Sequence, residues 1–158
     1  MSDCKAKLHG FSPLKGRKLD VNFGGGEVSS DGGLLLVREV DRRLRLTERA
    51  AAVLTDPRNP DLIVHTQLNM LRQRVYAIAQ GYEDLNDHDQ LRADPLLATL
   101  VGKRDVTGEQ RLELRDRGKP LAGKSTLNRL ELTPARATAK SRYKKIVARH
   151  QKIAPWFV

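Results

Sequence analysis

The sequence predicts a mainly α-helical fold with a small N-terminal β-hairpin, and three observations carry that prediction. Apolar residues recur at three-and-four spacing in several separate stretches. One short segment near the N-terminus alternates apolar and polar residues and runs into a glycine triplet. No succession of buried strands follows on which a larger sheet could be built. At 158 residues the chain fits one ordinary domain with a real core.

The elements follow in order. After a basic, loose lead, Leu19-Asp20-Val21-Asn22-Phe23 reads as a strand, Gly24-Gly25-Gly26 as its turn, and Glu27-Val28-Ser29 as the returning strand. Ser30 and Asp31 are N-cap types, and behind them Leu34, Leu35, Val37, Leu44 and Leu46 space an amphipathic helix whose other face carries Arg38, Glu39, Asp41, Arg42 and Arg43. Thr47 caps a second short helix through Leu54, closed by the turn pairs Asp56-Pro57 and Asn59-Pro60. From Asp61 to Gln80, Ile63, Leu68, Met70, Leu71, Val75, Ile78 and Ala79 form the longest helical pattern, with Gly81 as its C-terminal glycine; this helix is the expected heart of the core. Asp84 to Leu91 is a short helix, and Asp94-Pro95 starts another through Val101. Residues 106–119 are too charged to be buried and read as a surface loop. Ser125 to Leu132 is helical, Thr133-Pro134 breaks it, and Ala135 to Ile153 is a final basic helix.

Charge bounds the partner. Lys and Arg number 29 against 19 Asp and Glu, a net charge of +10 that places the surface in a field attracting polyanions, nucleic acid first. Cys4 is the only cysteine, which excludes an intrachain disulfide and a thiolate zinc site and fits a reducing cytoplasm. No apolar run reaches the roughly 18 residues a membrane span needs, and no signal-peptide core follows the first basic residues, so no membrane partner is expected.

Two stretches imitate catalytic chemistry. Gly118-Lys119-Pro120-Leu121-Ala122-Gly123-Lys124-Ser125 satisfies the phosphate-loop pattern of nucleotide enzymes, in which backbone N–H groups wrap a phosphate and Ser holds magnesium. That chemistry needs a buried strand just before the loop, whereas Gln110 to Arg117 carries five charges in eight residues. The segment therefore reads as a turn and a helix capped by Ser125, with no bound nucleotide. Glu83-Asp84-Leu85-Asn86-Asp87-His88-Asp89 gathers carboxylates that could attract a divalent cation, but adjacent acids on a helix diverge and the glycine and distal glutamate of a calcium loop are missing. Helix-start chemistry, with Asp84 as cap, is the reading adopted. His65 and His88 are read as structural, and no nucleophile and base are selected by spacing, so no catalytic, cofactor-binding or metal-binding residue is assigned.

The sharpest local charge feature is C-terminal. From Leu132 to Val158 there is no acidic residue, while Arg136, Lys140, Arg142, Lys144, Lys145 and Arg149 are all present. Ala139, Tyr143, Ile146, His150 and Ile153 give the same helix an apolar stripe, leaving its cations for a phosphate backbone or for solvent; both remain open. Arg129, on the preceding helix, is of a type that can read base edges. The candidate DNA-binding set is therefore Arg129, Arg136, Lys140, Arg142, Lys144, Lys145 and Arg149.

Three stretches, in order, resemble a known family. They are Ser29-Ser30-Asp31-Gly32-Gly33-Leu34-Leu35-Leu36 with Arg38-Glu39-Val40-Asp41-Arg42-Arg43-Leu44, then residues 71–89 from Leu71-Arg72-Gln73-Arg74-Val75-Tyr76 to Asn86-Asp87-His88-Asp89, then Ala122-Gly123-Lys124-Ser125-Thr126-Leu127-Asn128-Arg129-Leu130-Glu131. Together they resemble the N-terminal portion of the DDE insertion-sequence transposases of the thirteen-eighty group. The resemblance implies an enzyme that cuts and rejoins DNA at the terminal inverted repeats of its own element, using Mg2+ held by three acids on a ribonuclease-H-like α/β domain. It places those acids beyond this chain, so the implied fragment is a helical N-terminal region without the catalytic domain, inactive alone and needing no cofactor itself. His150 to Val158 depart from the acidic, apolar helix the family implies there, which reads as a truncated or frameshifted copy.

The expected organisation is a basic flexible lead over 1–18, a mostly helical N-terminal transposase domain over 19–132, and a basic helix or the start of a linker over 133–158. The expected function is terminal-repeat DNA binding or assembly for cut-and-paste transposition, with DNA and a second copy of the chain as partners, in a nucleoid-associated cytoplasmic protein. The alternative is a stand-alone basic DNA-binding regulator or transposition inhibitor.

Overall fold

Alternation and glycine placement do produce a hairpin, but one strand earlier than expected. The computed structural model describes residues 9–14, 16–21, 31–56, 58–131 and 147–148. Strands β1 (His9–Leu14) and β2 (Arg17–Val21) pair antiparallel, with Phe11 opposite Leu19 and Leu14 opposite Arg17. They turn through Gly16, whose φ of 82° suits a residue without Cβ. The register slips between Phe11 and Leu14, around Pro13, which has no N–H to give the ladder. Leu19 to Val21 are thus the second strand, and the first lies in the stretch expected as a loose lead. Phe11 and Leu14 pack on the helical core, an apolar anchor that sequence periodicity did not reveal. Gly24 to Ser29, expected as turn and returning strand, lie outside the described residues.

Helices α1 (Leu34–Leu44) and α2 (Leu46–Ala52) meet at Arg45, which takes a left-handed conformation (φ 54°) and donates its N–H to the Asp41 carbonyl. Gly33 occupies the N-cap of α1 without a side-chain bond. Asp31, expected there with Ser30, instead offers its backbone carbonyl to Leu34 and accepts from the Tyr82 hydroxyl at 3.3 Å; Ser30 lies outside the described residues. Thr47 sits inside α2 rather than capping it, because both its N–H and its hydroxyl are committed to Asp41. The helix stops short of Leu54, since Leu54–Thr55 form β3, paired antiparallel with β4 (Val147–Ala148). Those two C-terminal residues are a strand, not part of the helix expected from Ala135 to Ile153; the rest of that stretch lies outside the described residues.

The long helix, α3 (Gln67–Ala79), is shorter than its apolar pattern. Pro60–Leu62 form a separate 3-10 turn, and Thr66 caps α3 by accepting the Asn69 N–H at 3.2 Å. Gly81 follows with a φ of 92°, as expected. The buried face carries Met70, Gln73, Tyr76 and Ala77, while Val75 and Ile78 are exposed. The helix is rotated from the apolar prediction because Gln73 and Tyr76 find buried partners, which removes the usual penalty on polar groups in a core.

Asp84 caps a 3-10 turn at Leu85–Asp87 that leads into α4 (His88–Leu91), and Asp94 caps α5 (Pro95–Val101) by accepting the Leu97 N–H at 2.9 Å. Both caps match the expectation. The charged loop is at the surface, with Leu112 97% and Leu114 76% exposed. The last described helix, α6 (Lys124–Glu131), begins one residue before Ser125, which lies within its first turn. Two apolar clusters fill the interior. Leu14, Leu34, Leu35, Tyr76, Leu97, Leu100 and Leu121 belong to the larger; Met70, Ala122 and Leu127 form the smaller, beneath α6. Mainly helical with a small N-terminal hairpin is therefore the observed class. Among the described residues no helix is long and apolar enough to cross a membrane.

Two buried polar networks brace this arrangement. Asp41 accepts from Thr47 N–H (2.8 Å), Thr47 Oγ1 (2.6 Å) and Tyr76 Oη (2.8 Å), joining α1, α2 and α3. Burial, then the Asp41 carboxylate, holds the Tyr76 phenol well above its ordinary range. Gln73 bonds both backbone groups of Ala122 and touches His88 Nδ1 at 3.1 Å, joining α3, α4 and the approach to α6. Both histidines read as structural in sequence are buried.

Candidate nucleic-acid interface

Arg129 is the one member of the candidate DNA-binding set within the described residues, and it stands exposed on α6 at the rim of a cavity of about 360 Å³. The remaining six, Arg136, Lys140, Arg142, Lys144, Lys145 and Arg149, lie outside the described residues. Four further cations line the same cavity: Arg58 from the loop after β3, Arg92 at the end of α4, Arg111 from the charged loop, and Lys124 at the start of α6. His65, in the turn before α3, completes the wall.

Each of these four is positioned by a neighbour. Asp56 grips Arg58 with two bonds, from Nε to Oδ1 at 2.8 Å and from Nη2 to Oδ2 at 2.6 Å, and the same guanidinium donates to the His65 carbonyl at 3.1 Å. Asp116 accepts from Arg92 Nη2 at 2.8 Å and lies 3.8 Å from Arg111 Nη2. The ammonium of Lys124 lies 3.0 Å from Asp89 and donates to Asn86 at 3.3 Å. Gly123, entering α6, leaves room for Arg92: a Cβ there would stand 2.9 Å from its Nη1. Five cations thus share the cavity with two carboxylates, Asp89 and Asp116, and both carboxyls are held below the usual range, by Lys124 and by Arg92 respectively.

Electrostatics converge on His65. It is 8% exposed, and burial, then the positive field of Lys103, Arg111, Arg92 and Arg58, pushes it down to about 3, so the ring is neutral at ordinary pH. Among the described residues its Nδ1 has no hydrogen-bond partner, and neither has Nε of Arg92, which lines the same cavity. Sequence reasoning passed over Arg58, Arg92, Arg111 and Lys124 as a group because they stand far apart in the chain; a search for charge runs detects neighbours in sequence only. Lys124 alone carried a signal, as the lysine of the phosphate-loop pattern.

That pattern does not form a nucleotide cradle. The Leu121 N–H donates to the Arg92 carbonyl and the Ala122 N–H to Gln73 Oε1, so backbone groups the loop would turn to a phosphate are spent inside the core. What precedes the loop is a 3-10 turn at Leu114–Asp116, not a strand. The acidic run from Glu83 to Asp89 is equally dispersed: Asp84 accepts from Asn86 and Asp89 pairs with Lys124. Among the described residues no three His, Cys, Asp or Glu side chains converge as a metal-holding group.

A family model described as transposase DDE domain group 1 matches residues 11–155. No curated protein and no solved structure matches the chain. The match runs from β1 through the cavity and on past β4, nearly the whole length of the sequence, and so the chain belongs to the transposase DDE domain group 1 family.

Proposed function

We propose that this chain supplies DNA-end binding or assembly to the cut-and-paste transposition of an insertion sequence of the thirteen-eighty group, and that it does not cut DNA by itself. Membership in a transposase family implies DNA as the partner. The single observation that carries the binding role is the cavity beside Arg129, where five cations from four segments meet against two carboxylates. The overall charge of +10 brings a polyanion toward it, and the acid-free stretch after Leu132 adds further cations for the phosphate backbone. The separate local engagements of Asp84 with Asn86 and of Asp89 with Lys124 support the non-cutting half of the proposal.

A gel-shift comparison of terminal-repeat and random duplexes across a salt series tests this reading. Binding to both, tighter on the repeat and weakened by salt, is expected; no retardation of either at low salt sinks it. Incubation of supercoiled DNA with the chain and Mg2+ leaves the substrate intact, and nicking would remove the non-cutting half of the proposal.

A further inference from the structure

Two residues that line the basic cavity each carry a buried polar atom with no hydrogen-bond partner among the described residues. His65 is more than nine-tenths buried and its Nδ1 has no partner among the described residues; Arg92 Nε, where α4 ends, has none among them either. Buried polar atoms are nearly always paired, so two orphans on residues that line one cavity single it out as a place where an outside group would be satisfied. The cations around them state its sign: Arg58, Arg92, Arg111, Lys124 and Arg129 all line the same space. Its size suits a tetrahedral oxyanion with part of the chain that carries it, at about 360 Å³.

We propose that this cavity is a phosphate site that seats one backbone phosphodiester of a DNA strand, with His65 and Arg92 as the buried donors beneath it. The inference rests on the DNA-binding reading above and gives that reading a place. Arg92, Arg111 and Lys124 are held ready by Asp116 and Asp89. Asp89 lies 3.0 Å from the Lys124 ammonium at the start of α6, so an incoming anion competes with it for that cation. A bound phosphodiester releases Lys124 from Asp89 and adds negative charge beside His65. The imidazole then gains a proton more readily, since the phosphodiester adds to Asp89 and Asp116, the acids already facing the space, in offsetting the positive field of Lys103, Arg111, Arg92 and Arg58. Interactions of this kind fix position on the duplex and carry no sequence choice.

The test uses the full chain and follows the His65 ring by NMR during titration with a DNA duplex and, separately, with inorganic phosphate. A saturable shift of that ring with both ligands, and a His65 pKa raised in the complexes, is expected. The double variant Lys124→Gln/Arg129→Gln, at two exposed positions, should melt like the parent and bind duplex at least fivefold more weakly, whereas Asp89→Asn should bind inorganic phosphate more tightly. If duplex binds but the His65 ring does not move, or the double variant binds as well as the parent, the inference is overturned and the DNA-binding reading stands. If the parent chain binds no duplex, both fall. A response to inorganic phosphate without any response to duplex likewise overturns the assignment to a DNA strand.

Discussion

Gln73 bonds Ala122 as a neighbouring strand would. Its Oε1 accepts the Ala122 N–H at 3.0 Å while its Nε2 donates to the Ala122 carbonyl at 2.7 Å, across 49 residues of chain. The pair lies in the smaller cluster's surroundings, where Ala122 is fully buried and Gln73 is 1% exposed. It fixes where the chain turns into α6, and therefore where Lys124 and Arg129 stand.

Replacing Gln73 by Met keeps the volume and strands both Ala122 backbone groups without water or partner. A loss of about 2–4 kcal/mol in unfolding free energy is expected. Urea denaturation measures it, and a loss below about 1 kcal/mol contradicts the role given to this pair.

Asp41 is a three-way junction whose donors come from α2 and α3. Tyr76→Phe removes one donor and leaves two, so it should cost about 1 kcal/mol; Asp41→Ala strands the Thr47 and Tyr76 groups together and should cost about 3 kcal/mol or more. A thermal melt of each variant and of the double variant decides it. Additive losses would show that the residues do not act as one network.

His65 makes stability depend on pH in a defined direction. Its folded pKa, about 3, is below the ordinary value of 6.5, so the unfolded chain binds the extra proton first. Stability is fully present above pH 6.5 and is lost as pH falls from there toward 3, by at most about 1.4 kcal/mol per unit. The depressed carboxyls of Asp89 and Asp116 act in the same sense only below their ordinary range, near pH 3.8. Denaturation midpoints between pH 6.5 and 4.5 should therefore fall for the parent and flatten in His65→Gln; parallel curves would refute the assignment.

The cations after Leu132 should act on all DNA alike. Replacing Lys140, Arg142, Lys144 and Lys145 with Gln is expected to weaken binding to repeat and random duplexes by similar factors. The slope of log affinity against log salt should become shallower by up to about 3–4, near 0.9 for each phosphate that the variant leaves unneutralised. Equal slopes would show that these side chains do not touch the backbone.

Local chemistry was legible in the sequence wherever one residue decides an outcome. Asp84 and Asp94 cap their helices, Gly81 ends α3, and the charged stretch after Val106 stays at the surface. What sequence did not show is pairing at a distance. The hairpin's first strand was hidden in a basic lead because its reason to pair is the burial of Phe11 and Leu14 on helices far along the chain. The rotation of α3 was hidden because Gln73 and Tyr76 count as polar until Ala122 and Asp41 are placed beside them. On the site, Arg129 was named, but the cations it joins come from positions 58, 92, 111 and 124, whose meeting is a property of the fold.

That last property separates the cavity from a basic tail. A run of lysines keeps its charge density when the chain unravels, so it holds a polyanion in either state. The cavity beside Arg129 exists only while the loop after β3, α4, the charged loop and α6 are all in place, so an anion that settles there binds the folded chain alone and shifts the folding equilibrium toward it. At a concentration a hundredfold above its dissociation constant such an anion adds about 2.7 kcal/mol to the unfolding free energy. Engagement with such an anion would then be a condition that consolidates the protein as well as one that locates it.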